Sequence, residues 1–185
     1  MSRGTGEAVC ATTASPRGDE RAPLAQVIYI AEDVLERAGL AGRAWTVPDG
    51  HIDDPDVQAA NRALSAFASE VYLAAGGRTP TMWDGSPVPE GFLPVRVVAS
   101  EYLSVEHGPG VRASAQPVTN SITVRHQTND LTVLHEVAHL LHGTCESGDA
   151  HDDAFALTVR DLYAHYLSVK AAERFWTLVG LRAGR

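Results

Sequence analysis

The segment at residues 131–142, LTVLHEVAHLLH, constrains the fold of this chain more than any other. Leu131, Leu134, Ala138 and Leu141 recur at helical spacing, and Val133, Val137 and Leu140 make the remaining surface apolar too, so the helix it predicts has to be nearly buried. Asn129 and Asp130 stand where a helix start needs a cap, and Gly143 stands where its end needs one. Into this apolar surface fall His135, Glu136 and His139. Burying three such side chains without partners costs several kcal/mol, on the order of 1–3 for each unsatisfied group.

A bound metal ion removes that cost, and the spacing suits one. His135-Glu136-Val137-Ala138-His139 is an HExxH pattern. Residues four apart lie on one helix face about 6 Å apart, so both imidazoles can reach one zinc ion. Glu136, one position round the helix, can take a proton from a water beside that ion and pass it to a leaving group. Three matching residues in five also arise by chance, and helices carry histidines that only hydrogen-bond in a core. The apolar setting argues for the metal. The expected cofactor is therefore Zn2+, with His135 and His139 as ligands and Glu136 as the catalytic base.

A catalytic zinc ordinarily takes a third protein ligand. His142 lies seven residues from His135, about 10.5 Å along a helix axis, too far to share the ion with the other two. His151, in the predicted first turn of a following helix that starts near Asp149, can be brought back by a turn at Gly143, and is the expected third ligand. Asp149 and Cys145 remain the alternatives, Asp149 with a sufficient role as a helix cap.

The rest of the chain reads as one domain at residues 23–185 behind a flexible leader at 1–22, rich in Gly, Ser, Thr, Ala and charge. Leu24, Val27, Ala31, Val34 and Ala38 predict an amphipathic helix ending at Gly39. A second starts at Asp54-Pro55, carries Val57, Ala60, Leu64, Phe67, Val71 and Ala74 on one stripe, and stops at Gly76-Gly77. A Pro/Gly-rich loop with Trp83 follows at 78–93. Strand-like runs at 95–105, 111–115 and 121–124 predict a small, largely antiparallel sheet. A last helix is expected over about 170–181.

Composition narrows the function classes. The net charge is −8 with no run of Lys or Arg, so the counterion release that drives nucleic-acid binding has no evident source, although Arg112, Arg125 and Arg160 could form a local basic groove. No stretch approaches the roughly 20 apolar residues of a membrane span, and no signal-peptide pattern is present, so a cytoplasmic location is expected. Cys10 and Cys145 form no disulfide framework and read as free thiols.

The run HEVAHLLHG followed by His151-Asp152-Asp153-Ala154-Phe155 resembles the HExxH…HxxxF arrangement of SprT-like zinc metalloproteases, over about residues 121–160. With Val27-Ile28-Tyr29-Ile30-Ala31-Glu32-Asp33 and the strand at 121–124, most of the chain resembles a small zinc metallohydrolase family found chiefly in actinobacteria and their phages. His151 is followed by Asp-Asp-Ala where SprT-like proteins commonly have Gly-Pro-Glu. The resemblance implies an α+β, zincin-like metalloprotease fold, a small antiparallel sheet on a buried HExxH helix with flanking helices. It also implies His151 as zinc ligand and Phe155 packed behind it. Asp149 and Asp153-Ala154-Phe155-Ala156 resemble instead the ImmA/IrrE type of HExxH peptidase, which would make Asp149 the ligand and let the strand at 121–124 hold an extended substrate by β-addition.

The expected function is thus a zinc metallohydrolase, a metallopeptidase acting on a peptide or protein substrate, with neither nucleic acid nor membrane as partner. The alternative is a zincin-shaped binding or regulatory module whose zinc is structural. Tyr163, Tyr166, His126 and Arg125 are candidates by type for stabilising an oxyanion, and spacing favours none.

Overall fold

The computed structural model describes residues 24–79, 89–101, 103, 112–143 and 151–183. In chain order these form α1 (Leu24–Arg37), β1 (Ala44–Thr46), α2 (Pro55–Ala74), β2 (Arg96–Ala99), β3 (Ala113–Gln116), a 3-10 turn (Pro117–Thr119), β4 (Ser121–Val124), β5 (Gln127–Asn129), α3 (Asp130–His142), α4 (Asp153–Tyr166) and α5 (Val169–Ala183). The class is α+β. The leader at 1–22, Trp83, Cys145 and Asp149 lie outside the described residues. Among the described residues no helix is long and apolar enough to cross a membrane.

The sheet is mixed, which corrects the antiparallel expectation. Its order is β2-β4-β3: β3 pairs antiparallel with β4, and β2 pairs parallel with it in the register Arg96↔Ser121 to Ala99↔Val124. β3 and β4 are joined through the 3-10 turn, where Asn120 takes the left-handed conformation at φ 47° that an Asn tolerates. Among the described residues of the predicted run at 95–105, the strand is the four-residue β2. A separate two-stranded antiparallel ladder, β1 with β5, runs straight into α3 and has no counterpart in the expected sheet.

Parallel β2 and β4 need a covered outer edge, and α2 supplies it with polar side chains. Asn61, Ser65 and Ser69, at successive four-residue steps, are buried and meet β2 and its approach. Ala99 N–H donates to Asn61 Oδ1 (3.0 Å), Val97 N–H to Ser65 Oγ (2.8 Å) and Val95 N–H to Ser69 Oγ (3.1 Å). A helix rises about 6 Å per four residues and two strand residues span about 6.6 Å, so the two rows stay in step.

One hydrophobic core joins these layers, drawing on α1 (Val27, Ile28, Leu35), α2 (Leu64, Val71), the sheet (Val97, Ile122, Val124), α3 and the last two helices (Phe155, Phe175, Val179). Along α1 the buried stripe is Val27, Ile28, Ala31, Glu32 and Leu35, rotated from the expected one: Ala38 is exposed and a glutamate lies inside.

Candidate metal centre

Helix α3 is buried from Asp130 to Leu140, so its unpaired first-turn N–H groups must find acceptors inside the protein. They do. Asp130 N–H donates to Arg43 O (3.0 Å), Leu131 N–H to Ala41 O (3.0 Å) and Thr132 N–H to the Asn129 side chain (2.9 Å). The Asp130 carboxylate in turn accepts from Arg43 N–H (2.8 Å) and Trp45 Nε1–H (2.7 Å). Gly42, at φ 77°, lets the chain cross this close, since a Cβ there would lie 2.8 Å from Asp130. The far end stops at Gly143 in the left-handed conformation, φ 65°. The helix is thus fixed at both ends, and His135 and His139 project from one face.

His151 is not in the first turn of α4, as the sequence suggests, but just before its N-cap. The helix starts at Asp153, not near Asp149, because Asp152 is the cap: its carboxylate accepts from Phe155 N–H (2.8 Å). That cap fixes the backbone beside His151 and turns the Phe155 ring toward the same place. His135, His139 and His151 are all buried, and a nitrogen of each lies within 4.8 Å of the others. His135 Nε2 is 3.2 Å from His139 Nε2 and 3.3 Å from His151 Nε2.

Nitrogens bound tetrahedrally at 2.0–2.1 Å to one zinc ion lie about 3.3–3.4 Å apart, so these separations fit a shared ion. The proton count fits too. His135 Nε2 carries either one proton or one lone pair, so it can make one full hydrogen bond while facing two nitrogens, whereas a cation satisfies all three. The donor set is therefore suited to a metal ion, and borderline-soft zinc accepts three imidazoles readily.

The surroundings hold the three rings. Phe155 packs on all of them, with ring centres 4.4 Å from His139, 4.8 Å from His151 and 5.2 Å from His135. Tyr29, from α1, stacks on His135 and leans on His151, each at 5.4 Å. Glu32, nearly one turn further along α1, faces the other nitrogen of His135: Oε1 is 2.6 Å from Nδ1 and also accepts from Tyr163 O–H at 2.7 Å. Glu136 is buried, and its carboxylate accepts from the backbone N–H of Ala115 on β3.

Burial sets the proton affinities. It lowers His139, with the positive charge that His135, His151 and His142 would carry lowering it further. Burial and then His135 push His151 down to about 3. Both are neutral, as ligands must be, at any physiological pH. His135 is raised: burial lowers it, but the charge and hydrogen bond of Glu32, with Glu136, outweigh that. Burial lifts Glu136 to about 7, helped by Glu32 and opposed by His135 and the Ala115 N–H. Tyr163 is driven well above its ordinary value by burial and by Glu32.

Four residues singled out in the sequence, His135, Glu136, His139 and His151, thus meet in one place. His142 does not join them; its Nε2 pairs with Thr158 Oγ1 at 2.9 Å. Tyr163 is fully buried with its hydroxyl committed to Glu32, which removes it as an oxyanion donor. Sequence reasoning misses the stacking by Tyr29 and the part Glu32 plays. The strand at 121–124, which the ImmA/IrrE resemblance would make the substrate-holding strand, is the central β4 with both edges occupied; β3 is the strand against Glu136.

The class defined by this fold and site is an α+β protein with a buried three-histidine cluster able to hold a metal ion. No family model, no curated protein and no solved structure matches the chain.

Proposed function

We propose that this protein is a zinc-dependent hydrolase of peptide bonds with a zincin-like arrangement. The observation that carries the reading is the convergence of His135, His139 and His151, with His135 Nε2 at ligand separations from the other two and all three within 4.8 Å, and Glu136 following His135 on the same buried helix. His135, His139 and His151 would hold the ion. A bound zinc would lower the proton affinity of a neighbouring water and polarise a carbonyl oxygen.

The chain's own groups supply the rest. Glu136 would take the proton of the attacking water and return it to the departing amine nitrogen, while the Ala115 N–H aims its carboxylate. β3 is an edge strand of the sheet among the described residues, and its Ala115 N–H is the group that holds this carboxylate. An extended peptide paired on that edge would run past the base. The likenesses to SprT-like and ImmA/IrrE proteases support this reading, and zinc held by His151 would favour the former.

Elemental analysis of tag-free protein tests it, comparing the parent with His151→Ala and Asp149→Ala, together with peptide hydrolysis by Glu136→Gln. About one zinc per chain is expected, lost in His151→Ala and kept in Asp149→Ala, with hydrolysis abolished in zinc-loaded Glu136→Gln. Zinc lost only in Asp149→Ala would transfer the third-ligand role to Asp149. No metal after reconstitution, or full activity in Glu136→Gln, would sink the proposal; a fourth protein ligand would instead indicate structural zinc.

A further inference from the structure

Glu32 is a charged residue in the middle of the buried stripe of α1, between Ile28 and Leu35. A helix that only packs against the core needs no carboxylate there, and burying one is costly unless its oxygens are used. Glu32 Oε1 is used twice: it lies 2.6 Å from His135 Nδ1 and accepts from Tyr163 O–H at 2.7 Å. Three helices, α1, α3 and α4, therefore meet through this one oxygen. The Tyr163 hydroxyl is itself buried, and its distance to Leu131 O, 3.5 Å, leaves Glu32 as its close acceptor.

The two nitrogens of His135 have opposite duties. Nε2 faces His139 and His151, so a metal there needs its lone pair bare, which requires the proton to sit on Nδ1. A carboxylate at 2.6 Å is an acceptor that fixes the proton on Nδ1 and holds the ring plane against rotation.

Resting on the metal-site reading above, we infer that Glu32 is the positioning residue of this centre: it locks His135 in the ligand tautomer, and Tyr163 locks Glu32. The carboxylate also adds negative charge behind the ligand, making its Nε2 a stronger donor to a cation. His135 is thus the ligand whose outer nitrogen the described residues engage with a carboxylate.

Zinc affinity measured by competition with a chromophoric chelator, alongside melting of the metal-free protein, tests this. Glu32→Gln keeps the shape and an acceptor but removes the charge, and is expected to weaken zinc about 10-fold; Glu32→Ala, which removes both, about 100-fold. Tyr163→Phe is expected to weaken it a few-fold. The metal-free melting temperature of Glu32→Gln is expected to fall as the buried pair with His135 is lost, so the zinc affinity of the folded protein is the readout that decides. A purely structural ion pair gives lower melting with unchanged zinc affinity of the folded protein, and that result would overturn the inference. Should Glu32→Gln fail to melt cooperatively, Tyr163→Phe decides, and parent-like affinity there overturns it. Absence of zinc binding in the parent removes the metal reading itself, whereas parent binding with unaltered variants removes only the role of Glu32.

Discussion

His139 and His151 bind protons less readily in the folded chain because burial penalises an imidazolium and the positive charge His135 would carry adds to it, and this gives the metal-free protein a pH signature. Both fold with lowered proton affinity, His151 at about 3, against an ordinary value near 6.5. The unfolded chain therefore binds more protons below pH 6.5, and acidification destabilises the fold. Glu136, raised from 4.5 to about 7, acts oppositely: its contribution is present below 4.5 and lost as pH climbs through 7. His135, also raised, loses its contribution above 6.5. Between 4.5 and 6.5 two histidines oppose one glutamate, so stability rises with pH there and falls above it. Melting of chelator-treated protein should peak near pH 6.5, and His151→Ala should flatten the acid limb; a monotonic profile would contradict this. Phe155→Ala, at a fully buried ring touching all three histidines, should cost about 3–5 kcal/mol in urea unfolding. Most of this site is legible at the residue scale, because HExxH in an apolar helix leaves few interpretations. Glu32 is harder to read, although its place four residues after Ile28 and three before Leu35 puts a charge on an apolar face. A stripe drawn through Val34 and Ala38 hides that signal by turning Glu32 outward.

At the scale of elements, cap residues and helix spans are readable because each rests on local chemistry: Asn129 and Gly143 bound α3, and Asp54 with Pro55 opens α2. Asn129→Ala should cost about 1 kcal/mol, seen as a lower urea midpoint, since it strands the Thr132 N–H of a buried helix start. Strand pairing is less legible. β1 and β5 are three residues each, too short to show a period, and the parallel partnership of β2 with β4 depends on a crossover that no local pattern encodes. The Asn61, Ser65, Ser69 row is polar and in sequence reads as a solvent face. It is buried because β2 and its approach present backbone groups at matching intervals. Ser65→Ala should cost about 1–3 kcal/mol by orphaning Val97 N–H. Gln58→Ala, at an exposed position of the same helix, should stay within about 0.5 kcal/mol of the parent in the same urea titration.

For the whole molecule, a metal held by the three histidines would be linked to stability, because His135, His139 and His151 come from two separate segments that meet only in the folded state. Zinc at 100 times its dissociation constant should add about 2.7 kcal/mol, a rise of about 5–10 °C in melting temperature for a chain of this size, reversed by chelation. A melting temperature indifferent to zinc would count against the centre. The sheet has a second, quieter consequence. α2 occupies the outer backbone groups of β2 with its own side chains, so that flank cannot accept another strand, while on the β3 side the described residues engage the Ala115 N–H through Glu136. Growth of the sheet is therefore directional. Any further strand that joins it would come to the β3 side and meet the Glu136 carboxylate at Ala115.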